Sequence, residues 1–382
     1  MKTTRRVLHV VGGLHTGGAE TWLASVLPIM MERGWTPEFC LLDDREGQLA
    51  EEFRRAGILV HRCALQPRWS FAGRLQRLIR GGDYSLVHTH VLLFSGVIAA
   101  IARSAGVTVR IAHAHNSHDG RGQGLLRLGY RTLMRWALNR CATHALTCSA
   151  DAQQFLQRPA EWLPYGVDLQ PFLEPCSLVR RTDFDIPADA LVVGHVGRLT
   201  AQKNQIFLLD AYAEAAAQEQ RLHLAIAGEG PLGVQLSQHA RTLHCAERIH
   251  FLGRRGDVAA LLTGLFDAFV MPSLHEGLPV ALLEAQAAGL PCLTSDRIGR
   301  QAFVLPEMVE TLPLETGTAG WAERMLKTAR RGRMPRREAA RRMRLAGFDS
   351  RLSAERLAGF YERAIREADD MSEALVEAPF SS

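Results

Sequence analysis

Short apolar runs recur along the chain, each followed by a longer stretch in which apolar residues return every three or four positions. The runs have the length of buried strands and the stretches have the period of helices, so the pattern predicts strands alternating with helices. Alternation of this kind builds parallel sheets covered by helices on both faces, an α/β class. In the first half, strands are predicted over 6–11, 37–42, 58–63, 86–90, 109–113 and 144–148. The chain turns through 161–168 and then runs through a polar, proline-bearing segment to about residue 190. A second series follows over 191–196, 223–227, 249–251 and 268–271, and ends near 291–294. Two doubly wound lobes are therefore expected, over 1–168 and 169–349. The spacing of Leu352, Leu357, Phe360, Tyr361 and Ile365 predicts a helix over 350–367, and an acidic, mobile tail is expected over 368–382.

At 382 residues and 47% hydrophobic content the chain can fill two such cores. Seven cysteines are scattered without a CxxC pair, which indicates neither a disulfide framework nor a zinc site and suits a reducing cytoplasm. The start, Met1 to Arg6, is basic like a signal peptide. The run Val7 to Val11 is too short for a signal core and contains His9, so it reads as the first strand. The longest apolar run, Val91 to Ala102, falls well short of the roughly 20 residues that span a bilayer, and no transmembrane helix is expected.

The densest chemistry lies in Pro272-Ser273-Leu274-His275-Glu276-Gly277-Leu278-Pro279-Val280-Ala281-Leu282-Leu283-Glu284-Ala285. A strand predicted over 267–271 runs into a turn, Gly277 permits close backbone approach, and Pro279 suits the first turn of a helix. That places Glu276 in a loop and Glu284 inside the helix. Amides at the helix start, from Gly277 and Leu278, suit an anion, and carboxylates accept hydrogen bonds from sugar hydroxyls. Two acids at this spacing alone would be a solvated loop glutamate and an ordinary helix glutamate. The surrounding prolines and glycines favour a site for a diphosphate joined to a polyol, which is a nucleotide sugar.

Upstream, Gly197-Arg198-Leu199-Thr200-Ala201-Gln202-Lys203-Asn204 ends another strand and sets two cations around a turn into a helix. Arg198 offers a planar fork and Lys203 a compact charge, a combination suited to a departing diphosphate. Gly228-Glu229-Gly230-Pro231 follows the next strand, either as a donor-side loop or as a plain turn. In the first lobe, Gly12-Gly13-Leu14-His15-Thr16-Gly17-Gly18 links a strand to a helix but lacks GxGxxG in register, which excludes a nicotinamide fingerprint. Gly17 and Gly18 would let a sugar or phosphate approach, or each simply serves a tight turn that needs small residues. Histidines gather at predicted strand ends: His88 and His90, then His113, His115 and His118. Ligands bind beyond the carboxyl ends of such strands. No third-ligand spacing accompanies the HxH pairs, so no metal is expected.

Residues 251–296 resemble the donor-site region of retaining family 4 glycosyltransferases of the GT-B class, with Glu276 and Glu284 as that family's paired acids. Glu284-Ala285-Gln286-Ala287-Ala288-Gly289-Leu290-Pro291-Cys292 with Ser295-Asp296 resembles the capsule and exopolysaccharide branch. The likeness extends over roughly residues 5 to 365, with the motifs in the family's order. It implies two Rossmann-like lobes facing across a cleft, the first on the acceptor side with helix 350–367 crossing back to it, the second binding the donor. It assigns Arg198 and Lys203 to the donor diphosphate, Glu276 to the hexose and Glu284 to the ribose. Gly17, Gly18, Gly197, Gly228, Glu229, Gly277 and Leu278 complete the donor side. His115 faces the transferred sugar, with His113 as the rival for that role, and His90 and Asn116 stand nearer the acceptor. One departure is plain: the family's glycine pair and glutamate after Ser295-Asp296 are replaced by Arg297-Ile298-Gly299-Arg300-Gln301.

The expectation is a metal-independent, cofactor-free hexosyltransferase that retains anomeric configuration. It would act on a glycan or lipid-linked glycan in surface polysaccharide biosynthesis. A nucleotide-sugar epimerase and an idle nucleotide-sugar-binding scaffold are the other readings. The only acidic pair with metal-site spacing, Asp183 and Asp185, falls in the segment between the lobes and reads as surface. Arg127, Arg131 and Arg135 share one helix face among leucines, which fits either an anionic membrane at the inner face of the plasma membrane or a solvated basic face. A second basic cluster, 330–344, lacks interleaved aromatics, and no nucleic-acid partner is expected.

Overall fold

The computed structural model describes residues 5–15, 17–115, 124–173 and 179–377. The chain divides into two compact units, 1–166 with 350–382, and 167–349. The first holds β1 (Arg6–Val11), β2 (Thr36–Leu41), β3 (Leu59–Arg62), β4 (Leu86–Thr89), β5 (Val109–Ala114), β6 (His144–Thr147) and β7 (Glu161–Trp162). They form one sheet in the order β3-β2-β1-β4-β5-β6-β7, every pair parallel. The second holds β8 (Leu191–Val196), β9 (Leu222–Ala227), β10 (Ile249–Gly253), β11 (Ala268–Met271), β12 (Cys292–Ser295) and β13 (Val309–Leu312). Their order, β10-β9-β8-β11-β12-β13, repeats the doubly wound plan, again all parallel. Both units are Rossmann-like, as the alternating pattern predicts.

The central strands read as nearly continuous apolar runs because helices cover both faces. In the second unit Leu222, Leu224, Ile226, Val270 and Leu293 pack with Tyr212, Trp321 and Met325, all fully buried. The ends of the series differ from the sequence reading. Glu161–Trp162 forms an edge strand where only a turn is expected, and β13 extends the second sheet beyond 291–294. Each is short, has one neighbouring strand and keeps exposed or polar positions, so neither carries the apolar signature of a buried strand.

Helix Ser350–Glu377 packs on the first unit. Trp22 Nε1 donates to Ser353 Oγ at 2.9 Å, and the Tyr361 hydroxyl pairs with His88 Nδ1 at 2.6 Å. Leu357 and Ala364 of this helix are buried. The helix runs past residue 367, into the expected mobile tail, because 368–377 contains strong helix formers and the segment 350–378 holds no proline. Among the described residues no helix is long and apolar enough to cross a membrane.

Candidate active site

In an open doubly wound sheet the strand order reverses once, and the crevice beyond the carboxyl ends at that point is where ligands bind. In the second unit the reversal lies between β8 and β11. The Gly197–Lys203 turn leaves β8 and the Ser273–Glu276 turn leaves β11, so topology alone brings the two motifs together. Lys203 Nζ donates to Glu276 Oε1 at 2.7 Å, with the side chains 16% and 8% exposed. Gln202 braces the pair, its amide donating to the His275 carbonyl at 2.9 Å and reaching Glu276 Oε2 at 3.4 Å. Asn204, left-handed at φ 56°, stands at the N-cap position of the following helix, and its side-chain amide donates to the Pro272 carbonyl at 3.2 Å. Arg198 is exposed, and among the described residues its guanidinium has no partner. One cation is thus held against a carboxylate while the other stands open to solvent.

Glycines permit the loops to stack. Gly228 sits at φ 144°, and a Cβ there would run into the Gly197 carbonyl oxygen; one on Gly230 would strike the Leu199 backbone. The two loops are laced by Gly197 N–H to Ala227 O and Leu199 N–H to Glu229 O, each 3.0 Å. The Glu229 side chain is exposed, and the residue serves here through its backbone. Close packing of the backbone, more than a plain turn, explains glycine at 228 and 230.

After β11 the chain passes through buried Gly277 and Leu278 into helix Val280–Ala287, with Pro279 as its N-cap. Glu284 lies in that helix and among the described residues has no hydrogen-bond or ion-pair partner. Burial pushes its carboxyl from 4.5 up to about 7. The folded protein therefore holds a proton that the unfolded chain has already lost, and stability falls as pH rises from about 4.5 to about 7. Glu284→Gln is expected to remove that fall, worth at most about 3 kcal/mol. Melting temperatures of both proteins across the same window check it.

Sequence reasoning missed the bracing by Gln202 and Asn204, although both stand in the quoted motif. It also missed Ile298, which bridges Glu276 in parallel fashion inside the segment that departs from the family pattern. Asp183, one of the acids discounted as a metal motif, accepts from the Arg180 backbone at 2.9 Å and so serves a local turn.

In the first unit the reversal falls between β1 and β4. Gly17, extended at φ −154°, caps helix Gly18–Glu32 beyond β1. His90 follows β4, and His115 follows β5. His115 is 7% exposed, with Nδ1 on the Tyr165 hydroxyl at 2.5 Å and Nε2 facing His90 Nδ1 at 2.7 Å. Both its ring nitrogens are thus engaged inside the unit. His113, the rival, lies within β5 at 1% exposure. Asn116 lies outside the described residues.

The basic helix differs from expectation. Over Leu125–Cys141 the arginines at 127, 131 and 135 are half-buried, with Arg127 over Tyr130 and Arg135 over Phe155. The face turned outward is apolar: Leu125 is 89% exposed, Leu126 94% and Trp136 64%. Arginines lie beside the buried Met134 and Leu138 stripe because their stems cover apolar surface while their heads find partners. In the second cluster, Arg330 pairs with Glu219, Arg342 with Glu307 and Arg344 with Asp349, and Arg333 donates to the Leu262 carbonyl.

Comparison with known proteins bears on the family and the fold. A model described as glycosyl transferases group 1 matches residues 180–312, and one described as a glycosyl transferase 4-like domain matches 17–161. The chain is 32% identical over 370 residues to glycosyltransferase EpsF of Bacillus subtilis, spanning 94% of this chain and 96% of that protein. It is 30% identical over 251 residues to the UDP-Gal:α-D-GlcNAc-diphosphoundecaprenol α-1,3-galactosyltransferase of Escherichia coli, spanning 61% of this chain and 63% of that one. Anabaena HepE, solved with UDP-glucose, shares the fold at a TM-score of 0.75 and 19% identity, over 94% of this chain and 99% of its own. The chain therefore belongs to the group 1 glycosyltransferases and has their GT-B fold.

Proposed function

We propose that the chain transfers a hexose from a nucleotide diphosphate sugar to a lipid-linked glycan during surface polysaccharide assembly, with retention of configuration. The observation that carries the reading is the meeting of Arg198, Lys203, Glu276 and the Glu284 helix at the second unit's reversal point. Transfer builds positive charge at the anomeric carbon and negative charge on the departing diphosphate, so donors fixed around the phosphates contribute most. Arg198, Lys203 and the Gly277 and Leu278 amides supply them. No divalent ion is then needed at the diphosphate. Glu276, held by Lys203 and Gln202, orients the hexose. Glu284 accepts from ribose hydroxyls. Neither acts as the acid and base pair of a glycosidase.

As the acceptor oxygen bonds to the anomeric carbon, the bond to the diphosphate breaks, and the acceptor proton passes to the departing phosphate oxygen on the same face. Nuclear magnetic resonance of the product is expected to show the donor's anomeric configuration. An inverted product would overturn this mechanism. The lipid-linked acceptor draws support from the E. coli relative, whose name specifies a diphosphoundecaprenol carrier.

A carrier in the bilayer gives the outward leucines of Leu125–Cys141 a role, as a peripheral anchor at the inner face of the plasma membrane. Burying a leucine or tryptophan contributes about 1.5–3 kcal/mol. Leu126→Glu with Trp136→Glu is therefore expected to lower binding to anionic vesicles at least about tenfold, with melting unchanged. Undiminished vesicle binding by this variant would rule out that helix as the anchor.

A further inference from the structure

Beneath the turn that carries Arg198 and Lys203 lies a buried polar pair to which the donor chemistry gives no part. The ladder between β8 and β11 ends at Gly194 and Phe269. Just beyond it His195, fully buried, turns its ring toward β11, and Nδ1 donates to the Val270 carbonyl at 2.8 Å. That bond fixes the tautomer: the proton sits on Nδ1, and Nε2 is left as an acceptor. Gln205, the first residue of helix Gln205–Gln218 and 1% exposed, uses it. Its amide nitrogen lies 3.3 Å from His195 Nε2 and 3.0 Å from the Arg198 carbonyl oxygen, so each of its two hydrogens serves one acceptor. The opposite amide orientation would set an oxygen against both acceptors.

The Gln205 Oε1, turned the other way, is buried and among the described residues has no partner. An unpaired buried oxygen is unfavourable, and a side chain that served only as filling would do better if apolar. The two donors, more than the packing, account for glutamine at this position.

We propose that His195 and Gln205 are positioning residues that fix Arg198 at the donor diphosphate position. The Val270 carbonyl of β11 holds His195, His195 holds Gln205, and Gln205 holds the backbone of Arg198. Because β11 also leads into the Glu276 turn, the relay ties the two halves of the site to each other. Only the Arg198 carbonyl is engaged, and its guanidinium stands open to solvent. The backbone is held while the fork is free to meet a ligand. Gly197 lets the relay pass close to the turn: a Cβ there would lie 3.3 Å from His195 Nε2 and 3.4 Å from Lys203 Cε. Burial lowers the His195 pKa to about 4, and the Lys203 charge acts in the same direction. The ring is therefore neutral at neutral pH, and Nε2 stays an acceptor. The inference rests on the diphosphate role proposed for Arg198.

A double-mutant cycle on the full chain, read by calorimetry with UDP, GDP and ADP, tests it. Arg198→Ala is expected to lower affinity for the diphosphate that binds the wild type about 10- to 100-fold, the worth of a hydrogen bond to a charged group. Gln205→Leu is expected to lower it about tenfold, and to cause no further loss in the Arg198→Ala background, because the two residues act as one network. The corresponding nucleoside has no phosphate for Arg198 to grip and should bind Gln205→Leu and the wild type equally, whereas a packing defect would weaken both ligands. Circular dichroism and melting check folding. His195→Leu, expected to lose about fivefold alone and nothing further in Arg198→Ala, carries the test if Gln205→Leu does not fold. Losses that add in the double variant, or wild-type affinity in Gln205→Leu, would overturn the positioning role and leave the diphosphate role of Arg198 standing. Full affinity in Arg198→Ala would instead remove that diphosphate role, and this inference with it.

Discussion

Lys203→Ala is expected to lower kcat/KM by about 100- to 1,000-fold, the loss seen when one fixed donor to developing negative charge is removed. The single variant has a second effect, because it strands Glu276, 8% exposed, without its ion-pair partner. Breaking one half of such a pair costs about 3–5 kcal/mol when fully buried, and less here because Lys203 retains some exposure. The two effects separate in Lys203→Ala with Glu276→Gln. That double variant carries no stranded charge and is expected to melt close to wild type while remaining inactive. Steady-state kinetics beside thermal melting reads both. If the double variant regains wild-type turnover, Lys203 serves only to neutralise Glu276 and the diphosphate role assigned to it is wrong.

Gly228→Ala is expected to be the most damaging change of a single small side chain. The position requires φ 144°, which L residues rarely adopt, and the added methyl would meet the Gly197 carbonyl with no room to yield. Strain of that kind costs about 1–3 kcal/mol, and the displaced Gly197–Lys203 turn would carry Arg198 and Lys203 away from the diphosphate position. Donor affinity should therefore fall more than stability does. Gly256→Ala, where a Cβ meets nothing, serves as the control and should leave both unchanged. Equal donor affinity in Gly228→Ala and wild type would show that the stacked loops do not shape the site.

How much of this was legible in the sequence depends on what signals each feature sends. Central strands such as 191–196 and 268–271 are nearly continuous apolar runs bounded by turns, and the pattern places them to the residue. The edge strands at 161–162 and 309–312 are half polar, and a two-residue strand has no period to detect. Glu276 in a loop and Glu284 in a helix followed from Gly277 and Pro279. That Glu276 would pair with Lys203 did not, because that contact depends on β8 and β11 being neighbours across the strand reversal. The basic helix shows a different limit. A spacing of four places Arg127, Arg131 and Arg135 on one face, but cannot say whether that face points outward, and here the leucines do.

Calorimetry of the wild type and Glu284→Ala against UDP, GDP and ADP sugars tests the central claim most directly. At about pH 8 the Glu284 carboxyl is ionised and able to accept hydroxyls. Saturable binding of one donor, weakened at least about tenfold by the substitution, is the predicted result. A folded wild type that binds none of them would contradict the donor site and favour an idle scaffold.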